Sequence, residues 1–581
     1  MSRFFGHPIV ASSAALVVLA GTTAATAQLN QQLTASSGSQ AAGAPSGVRI
    51  SQLNAPAITA NGQMVYLAGL TGVGVNSSNG NAIFATNLNT NTTRMLARQG
   101  SRPAGMAAGI TLSALGTPAI NAAGTALYTA TIAGTGVTSL NNKILMVSDA
   151  TSTRVLARSG QDAPGMNTGI KISDIQLPMI APSGHIAYQV TFSGSGMWNG
   201  TNRGVYIVNP GAGSAPSLAF RQSGQVSGMP SGVTWASFSA PTMTPSGQLL
   251  MLGFMQGGSV SAANDAVIWN SGGQVLARKG DGVPGTSLTF SSFSSPTVSG
   301  SNVGFMAMLS DPESAQNKGG VFLASGGSIQ TLARSGQANS SLDTNTNWLF
   351  FGQPAMAAGG KVAFLATLTG SAVAPGASDV CLWGGSSAGV SQIARTGGAV
   401  PSCPGVQFDT IDQPSIAASG HVVFTARLRG SGVTATNDSG LFAYHAGTGL
   451  ILVSRTGRAM MAGTASRTPV ELQTVIGGDG RATCMTETGS LVYLLRTSTG
   501  AMAVRTMLPR SLADIADASG RGADGVVDQR DLAAFMTAFA AGSQLADVTG
   551  ASNPTRDAQV TQADMQTFMN SYNTTTVSSG R

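Results

Sequence analysis

Leu156-Ala157-Arg158-Ser159-Gly160 is a phrase that the chain repeats: Leu96-Ala97-Arg98-Gln99-Gly100 precedes it, and Leu276-Ala277-Arg278-Lys279-Gly280 and Leu332-Ala333-Arg334-Ser335-Gly336 follow. Variants stand at Arg221, Arg395 and Arg455. The period is about sixty residues, the mark of a tandem array rather than of unrelated domains. A second landmark keeps step with the first, a proline ahead of a glycine turn, at Pro56, Pro118, Pro178, Pro241, Pro296, Pro354 and Pro414. Six residues before each proline stand Ile50, Leu112, Ile172, Trp235, Phe290, Trp348 and Phe408; three before it stand Leu53, Leu115, Ile175, Phe238, Phe293, Phe351 and Ile411. Apolar residues held at such fixed offsets are packing positions.

After the proline comes a small-residue turn and a strand such as Ala126-Leu127-Tyr128 or Val362-Ala363-Phe364. A third strand follows, Ala82-Ile83-Phe84 or Gly320-Val321-Phe322, and the Leu-Ala-Arg phrase is the fourth. Short strands separated by Gly, Asn and Ser turns read as antiparallel meanders. Such a unit cannot bury both of its faces alone, so it must stack on neighbours, which a propeller does with four-stranded blades around an axis. Seven units are clear, and residues 470–508 read as an eighth that has lost its proline and its Arg-x-Gly. The expected fold is an all-β propeller over residues 47–508, eight blades preferred, with seven blades and an appended hairpin as the alternative count.

The turn Ile120-Asn121-Ala122-Ala123-Gly124-Thr125-Ala126-Leu127-Tyr128, and a second match at Ala357 to Phe364, resemble the NxxGxxAF tandem-repeat proteins of exported and surface-anchored bacterial families. The Asn is kept only at Asn121, whereas the Gly recurs at Gly62, Gly124, Gly184, Gly247, Gly360, Gly420 and Gly480. The resemblance implies a propeller-like fold and brings no enzymatic activity with it.

Arg3, the apolar run from Ile9 to Ala20 and Ala25-Thr26-Ala27 read as a secretory signal over residues 1–27, cleaved before Gln28. Residues 28–46 are expected to be a flexible lead-in. No later stretch has the length of a membrane span, so the mature chain is expected to be soluble outside the cytoplasm, secreted or at the cell surface. Charged residues make up only 9% of the chain, and the net charge of +7 is scattered through the repeats, which argues against a nucleic-acid or membrane-surface role. Of three cysteines, Cys381 and Cys403 form the nearer pair and the expected disulfide, leaving Cys484.

Composition changes after Pro509. Asp514, Asp524 and Asp531 are matched by Asp547, Asp557 and Asp564, ten and then seven residues apart in both copies. Each set leads into an amphipathic helix, with Leu532, Phe535, Met536 and Phe539 on one face and Met565, Phe568, Met569 and Tyr572 on the other helix's face. Loops that bind calcium alternate carboxylates with a carbonyl before a final acid that opens a helix. Asp514, Asp517, Asp524, Asp528, Asp531, Asp547, Asp557 and Asp564 are therefore the metal candidates, for one or two calcium ions. The duplicated half-EF-hand resembles dockerin domains, in particular the longer-looped form (GC-type) of planctomycete-type bacteria. That resemblance implies docking on a cohesin-like or cell-surface protein through Leu532, Phe535 and Phe568. The module is assigned to residues 509–573, and residues 574–581 to a disordered tail. The tail lacks the Gly-Cys ending of that form, and Ala558 and Thr561 weaken the second loop.

Gly385-Ser386-Ser387-Ala388-Gly389 has the Gly-x-Ser-x-Gly pattern of hydrolase elbows but falls between two strands of one unit, where a hairpin turn is expected. His185 and His421 share one repeat position beside the turn glycine and read as turn-edge residues. The recurring arginines are expected to satisfy carbonyls at the blade edges. Trp198, which matches no repeat position, is the aromatic expected to touch a ligand, a glycan or a protein. These readings point to a non-enzymatic exported propeller, binding or scaffolding, held to its partner by the calcium module. A dockerin-borne polysaccharide-active enzyme and a structural coat protein are the alternatives.

Overall fold

In the computed structural model the described residues run from 29 to 578, leaving out 60, 212, 312–313, 338–341, 343–344, 476–482, 517–522, 525, 542–545, 547 and 549–559. Among the described residues, eight antiparallel sheets of four or five strands follow one another, with one further two-stranded sheet, Met460–Ala462 and Ala465–Arg467. Blade 1 is representative. Its first strand is split by Pro56 into Arg49–Leu53 and Ala57–Ile58; Gln63–Thr71, Asn81–Asn87 and Thr92–Arg98 complete it. The proline lacks an N–H for the ladder, so pairing breaks there and resumes on the other side. Blades 2 to 7 start at Thr111, Lys171, Thr234, Thr289, Thr346 and Val406 and end on the recurring arginines.

The short segments after the prolines, such as Ala57–Ile58, Ala119–Ile120, Thr297–Ser299 and Ala355–Ala357, touch their counterparts in the next blade. First strands therefore line the axis and fourth strands form the circumference. Hydrogen bonds run from blade to blade around this inner ring: Ser183 N to Pro245 O, Thr297 Oγ1 to Pro354 O, Lys361 Nζ to Ala418 O, Ser419 N to Glu487 O and Ile58 N to Thr483 O, at 2.7–3.2 Å. Alternation of strand direction places first-to-second turns and third-to-fourth turns at one end of the ring. Second-to-third loops and the connections between blades lie at the other.

Eight apolar clusters fill the ring, and each draws on two neighbouring blades. Val65 and Ile83 of blade 1 meet Ile110, Leu112 and Tyr128 of blade 2; Phe220 of blade 3 meets Trp235 and Trp269 of blade 4. The eighth joins Val492, Leu494 and Ala503 of the last blade to Ile50, Leu53, Tyr66 and Phe84 of the first. The residues at fixed offsets from the prolines contribute to each such cluster: Trp235, Phe290, Trp348 and Phe408 are all 0–2% exposed. No sheet carries its own core, which is why sixty-residue units fold only as a ring.

The last blade closes differently from the rest. Glu471–Gln473, Ser490–Thr497 and Gly500–Met507 supply three strands, and the fourth is Gln31–Ser36 from the other end of the chain. The expectation of a flexible segment at 28–46 is thereby corrected. Thr34-Ala35-Ser36-Ser37-Gly38 is the missing copy of Leu156 to Gly160, with Ser36 in place of arginine. Gly38 N bonds to Ile50 O as Gly160 N bonds to Ile172 O, both at 2.7 Å. The eighth unit lost its terminal phrase because the N-terminus provides it.

Beyond the ring lie α1 (Gln529–Ala540) and α2 (Gln562–Ser578), over a small core of Ala513, Ile515, Phe535, Ala538, Ala546, Val548 and Phe568. Among the described residues no helix is long and apolar enough to cross a membrane.

Candidate functional site

The recurring arginines end the fourth strands at the loop end of the ring. Arg98, Arg158, Arg278 and Arg455 donate through Nε to the main-chain oxygens of Asn79, Asn141, Asn264 and Asn437 at 2.8–3.0 Å, and Arg395 does so to Ser378. The asparagines in turn fold the second-to-third loop, each Oδ1 accepting from a main-chain N–H three residues back, as Asn141 does from Thr138. This Arg–Asn lock was half visible: the arginine stood out in the sequence, and the Asn went unread because its distance before the arginine varies from 14 to 19 residues. Gly134 (φ 134°) enters the same loop where a side chain would strike the Gly109 carbonyl, so only glycine fits.

Trp198 sits in one of these loops. Its N–H donates to Thr201 Oγ1 at 3.1 Å, as Thr138 N donates to Asn141 Oδ1 in the preceding blade. It therefore occupies the Thr138 position, which corrects its reading as a residue outside the repeat. The indole lies against Gly200 (φ 112°) and is 65% exposed. Blades 1 and 2 expose Val73 and Leu140 from their own loops at the same end.

The other chemistry-bearing residues are taken up by structure. Ser386 and Gly389 stand on the two strands of a hairpin, so the Gly-x-Ser-x-Gly match is a turn. Ser183 Oγ and Ser419 Oγ each lie 2.8 Å from Nδ1 of the histidine two residues on, His185 and His421. His421 is buried, lies tilted against His445 with ring centroids 4.6 Å apart and reaches Pro509 O with Nε2 at 3.0 Å. Burial pushes its imidazole down to about 4, against the pull of the Pro509 carbonyl. Burial likewise lowers His445. The expected disulfide is corrected too: all three cysteines are free and buried. Cys381 belongs to the core between blades 5 and 6, Cys403 to that between blades 6 and 7.

In the C-terminal unit Asp531 is fully buried. Its Oδ1 accepts from the amides of Ile515 (2.7 Å) and Ala516 (2.8 Å), its Oδ2 from Asp528 N (2.9 Å). Burial raises its carboxyl above the usual range and these amides pull it back. Asp564 repeats the pattern with Val548 N at 2.9 Å and Thr561 N at 2.8 Å. Asp514 accepts from Asp524 N, Asp524 from Val526 N, and Asp528 from Arg530 through both main chain and guanidinium. Asp517, Asp547 and Asp557 lie outside the described residues. Among the described residues no three Asp, Glu, His or Cys side chains converge to hold a metal ion. The carboxylates of Asp531 and Asp564 each take up main-chain amides at a helix start.

Phe535 and Phe568 are corrected as partner-binding residues. They are fully buried and stack on each other at 3.9 Å between centroids, because the two apolar helix faces cover one another. Leu532 is only partly buried against the same core.

With the geometry in view, a family sequence profile matches residues 24–273 and again 270–504. The chain belongs to DUF7453, a family of unknown function. One copy of the profile spans about four blades, and the DUF7453 ring is two copies in tandem. No curated protein matches it. Solved structures similar to it include a prolyl endopeptidase (10% identity, TM-score 0.39, covering 77% of this chain and 55% of that one). Others are the Pyrococcus horikoshii acylaminoacyl peptidase (10%, 0.31, 70% and 52%) and an oligogalacturonate lyase from Vibrio parahaemolyticus (9%, 0.33, 68% and 93%). The DUF7453 chain spans about half the length of these peptidases. The expectation of a non-enzymatic binding or scaffold protein has no counterpart among these neighbours, which are peptidases and a lyase. What those enzymes act on stays with them, since a likeness of this size extends no further than general architecture.

Proposed function

We propose that this DUF7453 protein is an exported substrate-recognition propeller that takes an extracellular glycan on the end of the ring carrying the second-to-third loops. The observation that carries this reading is Trp198, whose indole stands 65% exposed from a loop held rigid by Thr201 and Gly200. A flat apolar face with a polar edge suits the C–H face of a sugar ring, and its fixed loop limits the entropy lost on binding. Around it the loops present hydroxyl and amide side chains, among them Asn199, Thr201, Ser139 and Asn142, rather than clustered charge. That composition suits a hydroxyl-rich ligand. The C-terminal unit reads as a dockerin-like duplication, supported by the matched staples of Asp531 and Asp564 and the stacked Phe535 and Phe568. Glycan-array binding by the mature chain tests the proposal. Binding to at least one glycan family, at least tenfold weaker in Trp198→Ala with an unchanged melting temperature, is expected; no glycan bound, or full binding by Trp198→Ala, refutes it.

A further inference from the structure

Pro509 and Arg510 join the ring to the C-terminal unit, and a pair of histidines grips this joint. Leu508 is buried in the core between the last two blades and Ala513 in that of the unit, so the chain has only a few residues in which to turn. His421 Nε2 lies 3.0 Å from Pro509 O. The Arg510 carbonyl passes so close to Gly447 that a side chain there would strike it, and the Arg510 main chain is also a partner of His445.

Both rings carry their proton on Nε2, because each Nε2 meets a carbonyl, Pro509 O for His421 and Ser419 O (3.2 Å) for His445. Each Nδ1 is then an acceptor: His421 takes the Ser419 hydroxyl at 2.8 Å and His445 the Gly447 N–H at 3.1 Å. A second proton must go to Nδ1. On His445 it would meet the Gly447 N–H, and on His421 the Ser419 hydroxyl would have to turn away.

The charges around the pair are of one sign. Lys361 of blade 6 donates to Ala418 O at 2.7 Å and lies against Gly420, as His445 does. Arg510 donates to Thr488 O at 2.8 Å. Both cations act on both imidazoles, and among the described residues no carboxylate does. Glu487, on the turn of the last blade, gives its main-chain oxygen to Ser419 and keeps its side chain exposed. Burial first, and then these cations, hold both imidazoles below the ordinary 6.5, His421 at about 4. Arg510 is the cation of this group that stands away from the strands and their ends, so moving the joint relieves a charged pair at the least cost to the ring.

We infer that the pair is a proton-sensitive latch on the joint: acid opens it and lets the C-terminal unit swing on the ring. The sign follows from linkage. The closed latch binds protons more weakly than the open one, so it is fully favoured above pH 6.5 and loses favour as pH falls toward 4. For His421 alone the closed-to-open ratio falls about 30-fold between pH 7.5 and pH 5, and His445 acts in the same direction.

Spin labels on the mature chain test this, with Thr499→Cys on the last blade and Met536→Cys on α1; both positions are exposed and the three native cysteines are buried. One narrow distance is expected at pH 7.5. At pH 5, where carboxylates of ordinary strength stay ionised, the ratio of a spread component to the narrow one should rise about 30-fold or more. Circular dichroism should show the ring folded at both. Arg510→Gln should move the rise to lower pH. His185→Gln should leave it where it is, since His185 repeats the Ser–His pair in a blade far from the joint. A double variant, His421→Gln with His445→Gln, should give the same distribution at both pH values. The same narrow distance in the unmodified pair at pH 7.5 and pH 5, a rise that persists in the double variant, or a rise that Arg510→Gln leaves in place would overturn the inference.

Discussion

Deleting residues 28–46 from the mature chain removes the outer strand of the last blade and is the sharpest test of the closed ring. Gln31–Ser36 pairs with the neighbouring strand at five positions, from Gln31 opposite Thr506 to Ser36 opposite Met502. At about 1 kcal/mol net for each hydrogen bond, that ladder contributes about 5 kcal/mol. Gln31 is buried, donates to Val453 O at 3.1 Å and receives the hydroxyl of Tyr493, so its loss leaves a buried phenol short of an acceptor, at about 1–3 kcal/mol more. The sum is a large part of the about 5–15 kcal/mol by which folded domains are stable. With an unfolding entropy of about 2 cal/mol/K per residue, a ring of this length should melt about 5–10 °C lower. Circular dichroism melts of the two chains measure the drop, and a synthetic peptide of residues 28–46 should restore part of it. A truncated chain that melts within about 1 °C of the full one, indifferent to the peptide, would show that the strand does not close the ring.

Other outcomes follow from single residues. His421, pushed down to about 4 by burial, binds protons more weakly folded than unfolded, so stability is complete above pH 6.5 and lost as pH falls toward 4. The loss is about 3 kcal/mol, and His421→Asn should flatten it; melts that do not change between pH 7 and pH 4.5 would contradict the burial. Trp235→Ala empties the core between blades 3 and 4, where the indole is fully buried, and should cost about 3–5 kcal/mol in urea unfolding. Arg158→Ala releases the Asn141 carbonyl and should cost about 1–3 kcal/mol, with faster hydrogen exchange confined to the loop of residues 134–142. Asp531→Ala orphans the amides of Ile515 and Ala516, which should exchange faster by at least tenfold while the ring's melting temperature holds; unchanged exchange would show that the staple is not what holds the unit.

The ring was legible because its grammar is periodic. Fixed apolar offsets from seven prolines specify which side chains are packing positions, and the structure buries Trp235, Phe290, Trp348 and Phe408 against the preceding blade. The first strand to be placed wrongly was Gln31–Ser36, since pairing with Thr506 and its neighbours is a contact between chain ends that no local pattern announces. Its likeness to Leu156-Ala157-Arg158-Ser159-Gly160 is there in Ala35, Ser37 and Gly38, but the missing arginine hid it. The aspartates of the C-terminal unit were legible as a duplication, and their use was not. Spacing says that Asp531 opens a helix; only coordinates say that three main-chain amides meet its two oxygens.

The seam between residues 273 and 270 of the two profile matches has a consequence for ancestry. Half a ring exposes two raw faces of opposite hand, one made of residues like Leu250 and Ile268 and the other like Ile50 and Tyr66. Two copies of such a half, placed head to tail around a twofold axis, would cover both faces at once. A gene encoding four blades could therefore have made this toroid as a homodimer before fusion put both halves on one polypeptide. Fusion freed the halves to diverge.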